Sequence, residues 1–442
     1  MKQLLSEEEF KLYEASYDEN AVRAFRVNTE KISVKDFAEI ASFASEPIPY
    51  VETGFYLTQD KIGNHPFHHA GMIYVQDPGA MATAECLDID PDWWILDMCA
   101  APGGKSSQLR NKLGEHGVLV SNEIVHSRCK ILTGNMERLG FRHSATTCLD
   151  PARIAQLFPE TFDMIMVDAP CSGEGMFRKD DIAIREWSVE NVLHCAQRQK
   201  GILEHAVTAL RPGGYIVYAT CTFSLDENEM VVDSFLREHP EFELIPVRDA
   251  VRRYTDDGIC FDGCSCPNLH DARRFYPHKS RGEGQFMAVL HDTRHAAPRR
   301  VENKKAAVKI DPVIVDFLKD TLVDYDPEQI SLYNGAHVYA APALAMEKGT
   351  AFSYGVTIGE IRKNYIQPHH QFFMAMGKQF KRQIELAPDS AELSRYLHGE
   401  EISVDCENGW AVITTHGCSV GGVKVVSGRA KNHYPKGLRT LA

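Results

Sequence analysis

Between about residues 70 and 290, short apolar runs alternate with stretches of helical period. The runs "WWILDMCA", "GVLVSNEI", "ATTCLD", "FDMIMVDAP", "GGYIVYATC" and "QFMAVL" have the length and composition of buried strands. The clearest helix is "VLHCAQRQKGILEHAVTAL", where Leu193, Ala196, Ile202, Leu203, Ala206, Val207 and Leu210 form an apolar stripe. It stops at "RPGG", which suits a helix end and a turn into the next strand. Strands alternating with helices predict a mostly parallel sheet covered on both faces, with ligands bound beyond the strand carboxyl ends. The stretch "HDTRHAAPRRVENKKAAVK" carries six Lys or Arg residues and almost no large apolar residue, and reads as a linker. A unit of mixed character follows from about 310 to 385. Beyond it, "WAVITT" and "VKVVSG", broken by glycines, predict a small β-rich tail.

A chain of 442 residues exceeds one ordinary core, so two to four domains are expected. Hydrophobic content of 44% and charged content of 25% are those of a soluble globular protein. No apolar run has the length of a bilayer span and the start "MKQLLSEEEF" is polar, so no membrane partner is expected. Twelve irregularly spaced cysteines point to reduced thiols and the cytoplasm. The net charge of −13 weighs against a polyanion as partner, but its distribution is uneven. From Asn408 onward there is no Asp or Glu, while Lys424, Arg429, Lys431, Lys436 and Arg439 are present. A second basic patch is expected around Arg362, Lys363, Lys378, Lys381 and Arg382, interleaved with Tyr365, Phe372, Phe373 and Phe380.

The first strand runs into "CAAPGGKSS". A triphosphate loop needs a glycine where Cys99 stands, and Pro102 removes an N–H that would cradle phosphate. The dinucleotide pattern G-x-G-x-x-G is absent as well. What remains is a strand ending at Asp97, a tight Gly103-Gly104 turn and a helix whose free N–H groups suit a carboxylate. The second strand ends at Glu123, an acid suited to a ribose diol, and the third at Asp150, placed to accept from an exocyclic amine. Acid-rich strand ends with few phosphate ligands fit a cationic, phosphate-free nucleoside such as S-adenosylmethionine.

Two later strands end in "VDAPCSGEGMF" and "YATCTFSLDENE", placing Cys171 and Cys221 beside that site. Carbon 5 of a pyrimidine takes a methyl group only after a thiolate adds to carbon 6, and Asp168 is placed to assist at ring nitrogen 3. These residues alone do not say which thiol attacks. Cys86, Cys129, Cys148 and Cys195 read as buried small hydrophobes. Cys260, Cys264 and Cys266 form one partial ligand set where structural zinc needs two, so no metal is expected.

The set "DMCAAPGGKSSQL", "SNE", "DAPCSGEGMF" and "YATCTFSLDENE" resembles the RNA 5-methylcytosine methyltransferases of the Sun type. "FRVNT", "GMIYVQDPGAM" and "RRFYPHKSRGEGQFMAVL" extend the likeness, with Gln285 where relatives often carry an aromatic. "GEIRKNYIQPHHQFFMAM" and "GGVKVVSGRAKNHYPKGLR" resemble the carboxy-terminal parts of the bacterial RsmF branch. The resemblance implies an α/β, Rossmann-like class I S-adenosylmethionine-dependent core with a small N-terminal domain and C-terminal PUA-like RNA-binding domains. The expected divisions are an N-terminal α/β RNA-binding subdomain (1–75), the catalytic core (76–292), the basic linker (293–309), an RsmF-type middle domain (310–385) and a PUA-like domain (386–442). It implies Cys221 as nucleophile, Cys171 in product release, and cofactor contacts from Cys99, Ala100, Ala101, Pro102, Gly103, Gly104, Lys105, Glu123, Asp150 and Asp168. Lys105 has a further expected part in positioning the base or tuning a thiol. The implied partner is RNA, ribosomal RNA or the small ribosomal subunit first and transfer RNA second, with no DNA and a monomeric chain. A ribosome-assembly factor without catalysis is the reading from another class, and the intact Cys171, Cys221, Asp168 and Gly103-Gly104 set speaks against it.

Overall fold

The computed structural model describes residues 1, 4–58, 62–179, 181–295 and 309–440, so most of the expected linker, from 296 to 308, lies outside the described residues. Five parallel strands form the centre of the core sheet. They are β1 (Trp94–Asp97), β2 (Val118–Asn122), β3 (Ser144–Thr147), β4 (Phe162–Asp168) and β5 (Leu210–Thr220). Antiparallel β6 (Gln285–Asp292) flanks β5, and β7 (Ala351–Tyr354) flanks β3. The order is therefore β6-β5-β4-β1-β2-β3-β7, with two short strands, Arg273–Phe275 and Phe242–Ile245, also paired to β6. The chain runs from β1 outward to β3 and returns to the other side of β1 as β4. The strand order thus reverses beside β1, where open α/β sheets bind ligands.

Continuous apolar runs suit these strands because both faces are covered. Leu96, Val120, Ile165, Val167, Ile216 and Tyr218 enter one buried cluster, while their neighbours Ile95, Leu119, Met164, Met166 and Val217 enter the other. The covering helices include α1 (Gly104–Lys112), α2 (His126–Leu139), α3 (Pro151–Leu157), α4 (Val189–Ala209) and α5 (Glu229–Glu238). The stripe that α4 buries keeps Ala196, Ile202, Leu203 and Ala206 of the expected one, but not Leu193. Val192, Cys195, Ala196, Gln199, Ile202, Leu203 and Ala206 face inward, and Leu193 is 54% exposed. A buried Gln199 keeps its place because its amide donates to two acceptors inside. The "RPGG" turn is also folded into β5, which starts directly at Leu210 with Gly213 at φ +78°.

A four-stranded antiparallel sheet (Ala24–Val27, Ala44–Pro47, Gly54–Leu57, Ile73–Val75) precedes the core. The C-terminal unit is a five-stranded sheet built around the hairpin Gly409–Thr415 and Cys418–Val426. These two sheets share one apolar cluster, with Phe25, Phe37 and Phe67 against Leu393, Tyr396 and Val420. Lys31 pins the junction by donating to the Met374 carbonyl and, at 3.1 Å, to Ser419. No helix among the described residues is long and apolar enough to cross a membrane.

Candidate active site

The carboxyl ends of β1 through β5 converge on one side of the sheet. After Asp97 the chain turns through residues 98–103. The Ala100 N–H donates to Asn122 at 2.8 Å and the Gly103 N–H to Ala100 at 2.7 Å. Gly103 adopts φ +109° as it enters α1, a conformation that favours glycine. Arg128 and Asn135 of α2 donate to the carbonyls of Ala101 and Pro102, at 3.0 and 2.9 Å, and hold the loop from outside. From the N-terminal sheet, the buried Arg26 of "FRVNT" donates to the Gly104 carbonyl and the Ser107 hydroxyl, both at 2.7 Å. Asn122 at the tip of β2 ties neighbouring strand ends together, donating to Met98 and Leu149 and accepting from Thr147.

This loop borders a hollow of about 220 Å³ whose lining includes Cys99 to Pro102, Gly104, Lys105, Asp168, Asp97 and Asp77. Asp97 is fully buried, with Oδ2 accepting from Ser106 at 2.6 Å and Oδ1 without a hydrogen-bond partner among the described residues. Burial pushes its carboxyl up to about 7, opposed by the Ser106 hydrogen bond. Glu123 is buried at the end of β2, accepting from the Val125 N–H at 2.9 Å and facing Arg128 at 3.5 Å. Asp150 is exposed and serves as the N-cap of α3, accepting from the Ala152 N–H at 2.9 Å. A hollow walled by acids, one of them with a buried oxygen left unpartnered, suits a cationic, phosphate-free nucleoside. Of the expected cofactor residues, Cys99, Ala100, Ala101, Pro102, Gly104, Lys105 and Asp168 line the hollow, while Gly103, Glu123 and Asp150 do not.

Cys171 and Cys221 follow β4 and β5, and their Sγ atoms are 3.2 Å apart. The two loops are clipped together by side chains the sequence reading left without a role. Glu227 accepts from the Ser172 N–H at 2.9 Å, from the Ser172 hydroxyl, and from Gln199 of α4 at 2.9 Å. Ser172 and Thr222 share a 2.9 Å hydroxyl contact, and Glu174 accepts from the Phe223 N–H at 3.1 Å. Below them, the fully buried Arg274 pairs with Glu229 and donates to the Phe223 carbonyl at 3.0 Å. The hydrogen bond with Cys221, then burial, raises the Cys171 thiol well above its ordinary pKa, so Cys171 stays protonated. Lys105 donates to Asp168 at 2.7 Å. Burial opposes its charge, but the Asp168 carboxylate, followed by Cys221, more than offsets this and the ammonium pKa is raised.

Of the second basic patch, Arg362, Lys363, Tyr365, Lys378 and Lys381 are exposed, but the phenylalanines do not interleave with them. Phe372, Phe373 and Phe380 are core residues, while Lys378 donates to the Lys31 carbonyl, Lys381 to Lys319, Arg382 to Asp320 and Arg362 to Glu360. Aromatic residues at helical spacing packed inward, and the cations beside them stayed at the surface. In the tail, Lys424 and Lys431 sit opposite each other on adjacent strands and are exposed. Around the Cys260 cluster, Asp233 accepts from the N–H groups of Ser265 and Cys266 at 2.7 and 2.8 Å. Among the missed residues, Asp97 was legible as a strand-end acid. Asn122, Ser172, Glu174 and Glu227 carried no signal beyond lying within the quoted motifs.

The sheet order, the acid-lined hollow at the reversal point and the glycine turn define a Rossmann-like class I methyltransferase. A family model described as 16S rRNA methyltransferase RsmB/F matches residues 84–291. The N-terminal domain of 16S rRNA methyltransferase RsmF matches residues 1–78, and the methyltransferase RsmF PUA domain matches 383–440. Ribosomal RNA small subunit methyltransferase F of Aeromonas salmonicida is 32% identical, the alignment covering 94% of this chain and 90% of that one. Its counterpart in Vibrio campbellii is also 32% identical, over 94% and 91%. A solved methyltransferase homolog protein from Pyrococcus horikoshii is 28% identical with TM-score 0.57, covering 66% of this chain and 92% of that one. The fold is also that of NSun6 from the same organism, solved with SFG, at 21% identity and TM-score 0.56 over 66% and 97%. The chain belongs to the RsmB/F family, in its RsmF branch. It is an RNA methyltransferase, and its cofactor is S-adenosylmethionine.

Proposed function

We propose that this chain methylates carbon 5 of a cytidine in small-subunit ribosomal RNA through a covalent adduct with Cys221. The observation that carries the reading is the contact of two strand-end thiols, 3.2 Å apart, with Cys171 held protonated beside Cys221. The contact does not rank the two sulfurs, and it is the place of Cys221 in the "TCT" motif that makes it the attacking thiol. The Cys221 sulfur adds to carbon 6 of the extruded base, and the ring's electron pair moves toward carbon 5 and nitrogen 3. Asp168, anchored by Lys105, is the carboxylate proposed to accept from nitrogen 3 once the adduct is protonated there. S-adenosylmethionine supplies the methyl group that carbon 5 takes. A solvent water takes the carbon 5 proton, the electron pair left behind restores the 5,6 double bond, and the sulfur–carbon bond breaks to return Cys221 as thiolate, with Cys171 assisting release. Cys99 to Lys105, Glu123, Asp150 and Asp168 form the proposed cofactor set, with Asp97 added to it.

The relatives named for small-subunit ribosomal RNA support that substrate, and their similarity spans almost the whole chain. RNA rather than DNA, a monomeric chain and the cytoplasm complete the reading. The test uses small subunits and transfer RNA from cells lacking the gene, with labelled S-adenosylmethionine. Cys221→Ala is expected to abolish transfer to the subunit while binding the cofactor normally, and Cys171→Ala to accumulate a protein–RNA adduct stable on a denaturing gel. Full activity in Cys221→Ala overturns the nucleophile, and label confined to transfer RNA overturns the substrate.

A further inference from the structure

A second and larger hollow, of about 540 Å³, lies between the N-terminal sheet and the core segments around 253–256 and 279–281. Its volume falls within the range of small-ligand sites, about 300–1,000 Å³. The Arg281 guanidinium lies over the Tyr56 ring, 3.7 Å from its centroid, and pairs with Glu46. The Arg281 side chain remains 55% exposed, so the stack ends in an open, flat, cationic face. Tyr254 is 44% exposed and its ring centroid stands 5.5 Å from that of Tyr50. Tyr50 itself is only 5% exposed, and its hydroxyl is buried without a hydrogen-bond partner among the described residues. Arg253, also on the wall, is exposed and has no ion pair among the described residues.

The same stretch of chain joins this hollow to the thiols. Tyr276 stacks on Phe223, two residues beyond Cys221, with centroids 5.6 Å apart and rings 17° from parallel. Gly284 abuts Gly175, whose N–H donates to the Cys221 carbonyl at 2.8 Å. The charges also discriminate between parts of a nucleic acid. Lys279 is shared by Glu9 and Asp256, and Arg281 is paired, so the wall is not a track for successive phosphates. The exposed flat faces of Arg281 and Tyr254 suit an unstacked base. We propose that this hollow takes one unpaired nucleotide of the RNA strand that carries the target base. Its base stacks on Arg281 and Tyr254, and Arg253 faces its phosphate. The inference rests on the RNA methylation reading for the identity of the strand, but its test does not need methyl transfer.

The probe is a fluorescent ten-nucleotide oligouridine, titrated by anisotropy against the full chain. Tyr254→Ala and Arg281→Ala are each expected to weaken binding about tenfold, the loss of one stacking plane. Arg281→Lys is expected to lose nearly as much, because an ammonium has no flat face. The slope of affinity against salt stays the same in Tyr254→Ala, since no phosphate contact is removed. Thermal unfolding and cofactor binding at wild-type values show that each variant is folded. With small subunits as substrate, KM for RNA rises about tenfold and kcat stays within twofold. Wild-type probe affinity in Tyr254→Ala, full rescue by Arg281→Lys, or a fall in kcat at unchanged KM each overturns the pocket. A chain that binds the probe through Tyr254 but transfers no methyl to subunits sinks the proposed reaction and leaves the pocket standing.

Discussion

Asp97 concentrates the chemistry of the cofactor side into one carboxyl. Burial holds its pKa up to about 7, against an ordinary value of 3.8. An unfolded chain would release that proton near pH 4, so stability from this group declines as pH rises from about 4 to 7 and is level above. A cationic ligand reverses the preference, because it binds the ionised carboxylate. Cofactor affinity is therefore expected to rise as pH climbs toward 7, by up to about tenfold per pH unit, and to level off above it. Asp168 and Lys105 also face the hollow, but they form an ion pair and neutralise each other. Calorimetric titration with S-adenosylmethionine from pH 5.5 to 8.5 measures this, with Asp97→Asn as the control expected to be flat. A pH-independent affinity in the unsubstituted chain removes Asp97 as the counter-charge.

At the scale of elements, the thiols depend on two loops that are well apart in sequence and fixed by side chains between them. An added Cβ at Gly175 would come within 2.8 Å of both the Cys221 carbonyl and the Gly284 carbonyl. Both obstacles are backbone, so Gly175→Ala has to shift the Cys221 loop. Misplacing a reacting group by about 1 Å costs on the order of a hundredfold in rate. We therefore expect kcat to fall by at least tenfold in Gly175→Ala with cofactor affinity within twofold, measured by single-turnover methylation and calorimetry. An unchanged kcat would show that the loop geometry tolerates the shift.

Across the whole molecule, the N-terminal and C-terminal sheets are two halves of one apolar cluster. Cutting off the tail would expose Phe25, Phe37 and Phe67, so truncation tests stability as much as RNA binding. Point changes are cleaner. Lys424 and Lys431 are surface residues facing the same way on adjacent strands, with Lys424 over the Trp410 ring at 5.4 Å. If each meets a phosphate, the double change to Ala lowers the slope of log affinity against log salt by about 1.4, taking about 0.7 per contact for single-stranded RNA. Filter binding of small-subunit RNA between 50 and 200 mM salt reads that slope, and an unaltered slope excludes this face.

The apolar runs by themselves determined the five parallel strands and the acids and thiols at their carboxyl ends, because a strand buried on both faces has to be continuously apolar and a turn has to follow it. Motif spacing likewise brought Cys171, Cys221, Asp168 and the Gly103-Gly104 turn to one edge. Tertiary structure decided what no local pattern encodes. It buried Gln199 of α4 through hydrogen bonds donated to Pro170 and Glu227 while leaving Leu193 outside, and it used β7, distant in sequence, as an edge strand of the core sheet. It also sent Phe372 and Phe380 into the core while the cations beside them stayed at the surface, joined the two cysteine loops through Glu227, and opened the aromatic hollow between units. Those outcomes depend on which surfaces meet, and a side chain's partners across a junction leave no trace in the periodicity of its own segment.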